Sequence, residues 1–262
     1  MNSRENQLTQ WSNDPVTDRP GETLYLRDEE TGELWGPTVA PIRDETAPYC
    51  VRHGQGYSRF EHAGHEVALD LLMFVPLHDP IKISRLRIRN TSQRRRRLSV
   101  TAYVEWVLGT SRAASAPFIV TEIDAQTGAM FARNPWSPIF GSRVAFADLA
   151  GRQTQWTGDR REFLGQHGRL DRPTALSGVA PLSGRTGAGL DPCCALQAPL
   201  ELESGETMEI VFLLGEAASA SEAQSLLSRY RSADLDRVFG DVEDYWDRKS
   251  TRLNSSHPYR SR

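Results

Sequence analysis

Every second position from Leu98 to Leu108 is apolar: Leu98, Val100, Ala102, Val104, Trp106 and Leu108. Such alternation predicts a half-buried strand of about eleven residues. Thr23–Arg27 repeats the pattern with Leu24 and Leu26. Asp28-Glu29-Glu30-Thr31-Gly32 then supplies a turn, and Glu33-Leu34-Trp35 returns to extended alternation. Pro15, Pro20 and Pro37 keep helix out of this region, so residues 11–38 read as hairpin and loop. Ile81 and Ile83 lie in one phase and Leu86 and Ile88 in the other, which predicts a β-bulge at Ser84-Arg85. Further strands are expected at Tyr57–His62, Val67–Val75, Phe118–Asp124, Ala129–Arg133, Val144–Leu149, Cys194–Leu202 and Thr207–Leu214. Short strands, regular turns and no interleaved helices predict an all-β antiparallel sandwich.

The period changes near residue 219. Ser219 or Ser221 can cap a helix carrying Ala223, Leu226, Leu227 and Tyr230. Asp234 can cap a second with Leu235, Val238, Phe239, Val242 and Trp246 on one stripe. That stripe needs a partner, either the sandwich or a helical region beyond. Residues 165–192, rich in Gly, Pro, Arg and Ser, read as one long surface loop.

Composition adds limits. The 262 residues are 39% hydrophobic and 25% charged with a net charge of −3, a globular profile that recruits neither nucleic acid nor membrane by bulk charge. No apolar run reaches the ~20 residues that span a bilayer, so no direct membrane insertion is expected. Cys50, Cys193 and Cys194 form no metal or disulfide framework, which fits a reduced, cytoplasmic compartment. Arg94–Arg97 reads as a solvated, charge-blunted hairpin rather than an anion site.

No nucleophile elbow, phosphate loop or metal spacing is present, and no cofactor is implied. His62 and His65 flank Ala63-Gly64 and read as surface histidines pointing in different directions. Asp14, Asp18, Glu22 and Glu122 could furnish a carboxylate pair, but nothing singles out two of them. Aromatics are more suggestive. Trp11, Trp35, Tyr57, Trp136 and Trp156 sit beside turns, Trp136 within Arg133-Asn134-Pro135-Trp136-Ser137-Pro138, where an indole could stack on a sugar ring. Trp106, in mid-strand, reads as core.

Long stretches resemble a known family: "NSRENQLTQWSNDPVTDRPGETLYLRDEETGELW", "VRHGQGYSRFEH", "FVPLHDPIKISRLRIRNTS", "RRLSVTAYVEWVLGTSRAASAPFIVTEID" and "FARNPWSPIFGSRVAFADLAGRQTQWTGDRREFLG". From residue 2 to about residue 247 the chain is similar to the C-terminal region of cyclic β-1,2-glucan synthases. These belong to glycoside hydrolase family 94, the cellobiose-phosphorylase-like group formerly called glycosyltransferase family 36. The resemblance implies a galactose-mutarotase-like β-supersandwich, a helical linker and then an (α/α)6 barrel. It places the supersandwich at 1–218, truncated at its N-terminus, and the start of the linker at 219–248. It puts the catalytic acid and the site for inorganic phosphate, a co-substrate, on the barrel, so no catalytic residue is carried over.

The same resemblance gives the sandwich loops that face the acceptor sugar, a β-glucan oligosaccharide, often across a homodimer. By position Arg112 is the leading sugar contact, with Ser111 beside it; Arg4, Asn6 and Trp11 are weaker candidates, and Trp11 would face the docking barrel. A parent anchored in an inner membrane would carry this region on its cytoplasmic side. Residues 249–262, "KSTRLNSSHPYRSR", depart from the family, resemble translated adapter sequence and are set aside from fold reasoning. The alternatives are a structural dimerisation module and a mutarotase-like epimerase built on His53 or His62 with Glu61.

Overall fold

A computed structural model describes residues 1–11, 19–178 and 180–255, with side chains through Lys249. Asp14, Asp18 and the last seven residues lie outside the described residues. Among the described residues fifteen strands, numbered along the chain, form two antiparallel sheets.

At the centre of the first sheet is β9 (Arg96–Gly109). β14 (Pro192–Leu202) pairs along one of its edges, and β13 (Gln155–Asp159) lies beyond it. β3 (Glu22–Asp28) and β2 (Asn6–Thr9) share the other edge, with β4 (Leu34–Trp35) and β1 (Asn2–Ser3) as their hairpin partners. The second sheet begins with β10 (Val120–Ile123), β11 (Met130–Arg133), β12 (Val144–Asp148) and β15 (Thr207–Ala217). It continues through β8 (Ile81–Asn90), β7 (Val67–Phe74) and β6 (Tyr57–Gly64) to β5 (Tyr49–Gly54). Four helices complete the described chain: α1 (Arg112–Ser115), α2 (Arg160–Leu164), α3 (Ala220–Ser232) and α4 (Leu235–Ser255).

All six alternating apolar residues of β9 enter the main core, with Leu69, Leu86, Leu196 and Phe212 from facing and neighbouring strands. The strand is not half-buried, however. Ser99, Thr101, Tyr103 and Glu105 on its other face are buried as well. Helix α2 and the segment after it account for this: Phe163 and Leu164 of α2 pack with Leu176 and Leu182 over Tyr25 and Tyr103. The expected surface loop is thus a lid over the sheet.

The predicted bulge at Ser84-Arg85 is absent, and β8 keeps unbroken register with β7 and β15. Its change of phase has another cause. Leu86 and Ile88 point into the sandwich, whereas Ile81 and Ile83 point outward into a second core built with the helices. There Ala223, Leu226, Leu227 and Tyr230 of α3 and Leu235, Val238, Phe239, Val242 and Trp246 of α4 cover the outer face of the second sheet. Ser219 caps α3, accepting from Glu222 N, and Asp234 Oδ1 accepts from Asp236 N and Arg237 N. The α4 stripe therefore lies back on the sandwich. No helix of the described residues is long and apolar enough to cross a membrane.

The arginine run is absorbed by neighbouring acids. Arg94 meets Glu30, Arg95 meets Glu201, and Arg97 Nε lies 3.5 Å from Glu30 Oε1. Arg96 differs from these solvated three. Its side chain is 3% exposed, and its Nη2 donates to Asp28 Oδ2 at 2.6 Å. Burial alone would raise the Asp28 pKa. The amides of Glu30 and Thr31, which donate to Oδ1, and the Arg96 guanidinium outweigh it and hold the carboxyl below its usual range.

Two outcomes are expected. Replacing Arg96 with Met strands the Asp28 charge and should cost roughly 3–5 kcal/mol in urea denaturation. Arg97→Met should cost about 0.5 kcal/mol or less. Because the folded Asp28 pKa is depressed, its contribution is complete above the unfolded value near ~3.9 and is lost as pH falls through the lower folded one. Arg96→Met should therefore flatten the acid limb of stability against pH. Gly56→Ala tests the seat of α4. Gly56 has φ +85°, and a Cβ there would stand 2.6 Å from Trp246 Nε1 and 2.9 Å from Val242 Cγ1. Lifting the helix end should red-shift the Trp246 emission and cost about 1–3 kcal/mol.

Candidate functional site

The end of the sandwich where β9 exits is shaped by a bulge. Gln7 pairs with Gly109 but Thr9 pairs with Trp106, so β9 carries one extra residue against β2, and Leu108 adopts φ +42°. Such a bulge turns the strand and re-aims the residues beyond it. The chain then reaches Ser111, the N-cap of α1, which accepts from Ala114 N at 3.4 Å, and next Arg112. Ser115 ties α1 back, donating to Val107 O and, at 2.8 Å, to Ser111 O.

Arg112 is half-buried and contacts the Asp191 carboxylate, with its Nε 3.7 Å from Glu105 Oε2. Glu105 also accepts from Tyr103 OH at 2.9 Å and from Arg160 Nε at 2.6 Å. Burial pushes the Tyr103 hydroxyl well up, so it remains a donor. Burial works against the Arg160 charge, but the Glu105 hydrogen bond outweighs it and the net shift is upward. Arg112, Pro117, Asp159, Arg161, Gly189 and Asp191 line an open cleft of about 420 Å³.

Next to the cleft is an apolar platform. The turn Ala116–Phe118 carries Phe118 from its wall onto Trp136, with ring centroids 5.5 Å apart and planes within 12°. Trp136 is 73% exposed and Ile139 72%. Their loop is anchored by Asn134 Nδ2, which donates to Leu108 O at 2.9 Å. The bulged strand end thus positions both platform and cleft.

Of the residues expected from sequence, Ser111, Arg112, Arg4 and Trp136 lie at this end. Arg4 is exposed at the β1–β2 turn with φ +54°, beyond the end of β9 by register. Asn6 is at the same end but is no surface contact. It is 2% exposed and its Nδ2 donates to Glu216 Oε1, while Arg143 Nε donates to Glu216 Oε2 at 2.6 Å. Trp11 is 60% exposed, its carbonyl accepting from Gln7 Nε2, and its ring stacks on no described aromatic. Trp35 is wholly buried, and Trp156 Nε1 donates to Gly184 O. Asp191, Asp159, Arg161 and Phe118 were missed. Three of these come from segments far along the chain, and the unusual length of the 165–192 loop hinted at Asp191 alone.

The histidines are also arranged differently from expectation. His62 is buried, stacked on Tyr49 with centroids 3.9 Å apart. Both His62 Nε2, at 3.1 Å, and His65 Nε2, at 3.5 Å, approach Asp44 Oδ2, so the two rings converge. They clasp the 36–48 loop against the β6–β7 hairpin. Among the described residues no cluster could hold a metal ion. Nor does an epimerase pair form: Glu61 and His62 are successive residues of β6 and face opposite sides, and His53 Nδ1 is engaged with Ser58 Oγ at 2.9 Å.

Residues 1–233 match the family described as Glycosyl hydrolase 94, supersandwich domain. The chain belongs to this family. It is 36% identical over 245 residues to the cyclic β-(1,2)-glucan synthase NdvB of Rhizobium meliloti (strain 1021), covering 94% of this chain and 9% of that protein. It is 25% identical over 261 residues to the N,N'-diacetylchitobiose phosphorylase of Vibrio furnissii, covering 97% of this chain and 32% of that enzyme. A bacterial glucoamylase complexed with acarbose shares the fold at a TM-score of 0.59 and 8% identity, over 87% of this chain and 31% of that one. The chain thus spans a third or less of these relatives, and it is a supersandwich of a family of glucan synthases and glycoside phosphorylases.

Asn6→Ala separates support from recognition. It should leave Glu216 short of a donor and lower stability by roughly 1–3 kcal/mol in chemical denaturation, with no change in any sugar titration.

Proposed function

We propose that this chain is the sugar-facing, non-catalytic supersandwich of an enzyme that builds or phosphorolytically cleaves β-1,2-linked glucans. The exposed Phe118–Trp136 stack beside the arginine–carboxylate cleft carries this reading. A pyranose presents an apolar face of C–H groups to an indole and a rim of hydroxyls to charged neighbours. The platform offers the first contact, and Arg112, Arg161, Asp159 and Asp191 offer donors and acceptors for the second. Glu105, Asp159 and Asp191 are each already engaged by arginine, which suits them to orienting a ligand rather than to proton transfer. The catalytic (α/α)6 barrel, with inorganic phosphate as co-substrate, lies in this reading elsewhere in a longer protein that works in the cytoplasm. The identity to NdvB favours the β-1,2 linkage over others.

The test is calorimetric titration of β-1,2-gluco-oligosaccharides into the purified chain, together with an assay for glucose 1-phosphate in the presence of phosphate. Saturable binding with no release above a buffer blank is expected. Trp136→Ala should weaken binding roughly fivefold to tenfold at unchanged thermal stability, because its ring is largely in solvent. Release of glucose 1-phosphate by the folded chain would overturn the non-catalytic reading.

A further inference from the structure

The two sheets do not close on each other everywhere. Beside the start of β3 a cavity of about 270 Å³ remains between them. Much of its lining is apolar, with Leu24 of β3, Leu71 and Met73 of β7 and Phe212 of β15.

Polar side chains enter this apolar space from both sheets. Alternation along β8 puts Lys82 and Ser84 on the same inward face as Leu86, and Glu22 lies inward on β3, two residues before Leu24. The Lys82 ammonium donates to Glu22 Oε2, tying β8 to β3 across the gap. Glu22 Oε1 accepts from Thr9 Oγ1 at 2.8 Å and lies 3.1 Å from the Met1 amine. Both carboxylate oxygens are therefore engaged.

The donors are not. An ammonium carries three N–H groups, and Lys82 directs one of them to Glu22. Ser84 lies opposite Met73 on one neighbouring strand and Phe212 on the other. It is 2% exposed, yet its Oγ has no hydrogen-bond partner among the described residues. A buried hydroxyl left unpaired destabilises a fold. The cavity thus combines spare donors with apolar walls, and that pairing selects a ligand with an acceptor oxygen on an apolar body. A carboxylate would bring a further charge between Leu24, Leu71 and Phe212, at a desolvation cost that a carbonyl avoids.

The geometry points to a binding site for a small neutral carbonyl compound, an apolar ketone or aldehyde, whose oxygen accepts from Ser84 and Lys82. Its body lies between Leu24, Leu71, Met73 and Phe212. The site shares no lining residue with the Arg112 cleft, so it is independent of the sugar-binding reading.

Methyl NMR on the whole chain, labelled at methionine, tests this with acetophenone as the probe. Met73 lines the cavity, whereas Met130 and Met208 do not and serve as internal controls. Acetophenone should shift the Met73 methyl saturably and leave both controls in place. Ethylbenzene has nearly the same shape without the oxygen and should bind about fivefold more weakly or worse. Ser84→Ala should weaken acetophenone about fivefold and leave ethylbenzene unchanged. Its melting temperature should stay the same or rise, because the change removes an unpaired buried hydroxyl. A Met73 methyl indifferent to acetophenone would overturn the proposal. So would equal affinity for the two probes, equal shifts at all three methionines, tighter binding of benzoate than of acetophenone, or acetophenone binding that ignores Ser84→Ala.

Discussion

The burial of β9 on both faces constrains nearly everything else. One face is apolar and needs only the opposing sheet. The other carries Ser99, Thr101, Tyr103 and Glu105, and a buried polar group without a partner costs as much as a lost hydrogen bond or more. Each therefore has its answer. Ser99 donates to Glu29, Thr101 accepts from Gln197, and Glu105 collects Tyr103 and Arg160. Arg160 can arrive only if the chain turns into α2 directly after β13, which Asp159 secures by accepting from Arg161 N. The lid over the sheet and the charged cleft at its end thus have one cause. The cleft is polar because a carboxylate in the middle strand had to be neutralised there.

The elements most legible in the sequence are those whose signal is local. Alternation located β3, β6, β7, β9, β14 and β15 to within a few residues, and Ser219 and Asp234 marked the helix starts. Alternation is silent on what lies against each face. Read alone, the phase change in β8 was as consistent with an inserted residue as with a strand buried on opposite sides in its two halves. Only the position of α3 and α4 decides between these. The bulge that matters, at Leu108, left no such trace, because Trp106 and Leu108 keep the alternation through it. β2, β5 and β13 are short or polar and were not anticipated.

The candidate cleft and platform were legible in part for the same reason. Trp136 and Arg112 could be named because an indole between prolines and an arginine just after a long strand are local peculiarities. Asn6 is equally local and was misassigned, since nothing near it reveals Glu216, two hundred residues away. Asp191 and Phe118 gain significance only when the entry of the chain into β14 sets one against Arg112, and when the turn after α1 lays the other on Trp136. The convergence of His62 and His65 is likewise invisible from their spacing. It requires Asp44 to be brought in by the loop before β5.

The balance of charge at this end bears on how it could recognise a sugar. An unpaired arginine or carboxylate would be strongly hydrated and would have to shed that water on binding. Here Arg112, Arg160, Glu105 and Asp191 already hold one another, so their remaining hydrogen-bonding directions are fixed before any ligand arrives. The Phe118–Trp136 stack is fixed in the same way, by Asn134 and by the turn after α1. Preorganisation reduces the ordering cost of binding, which matters most for ligands such as oligosaccharides that offer many weak contacts and no charge. A self-neutralised cleft beside an exposed aromatic platform can orient a neutral chain without itself supplying a proton donor or acceptor, because every carboxylate in it is already held by arginine.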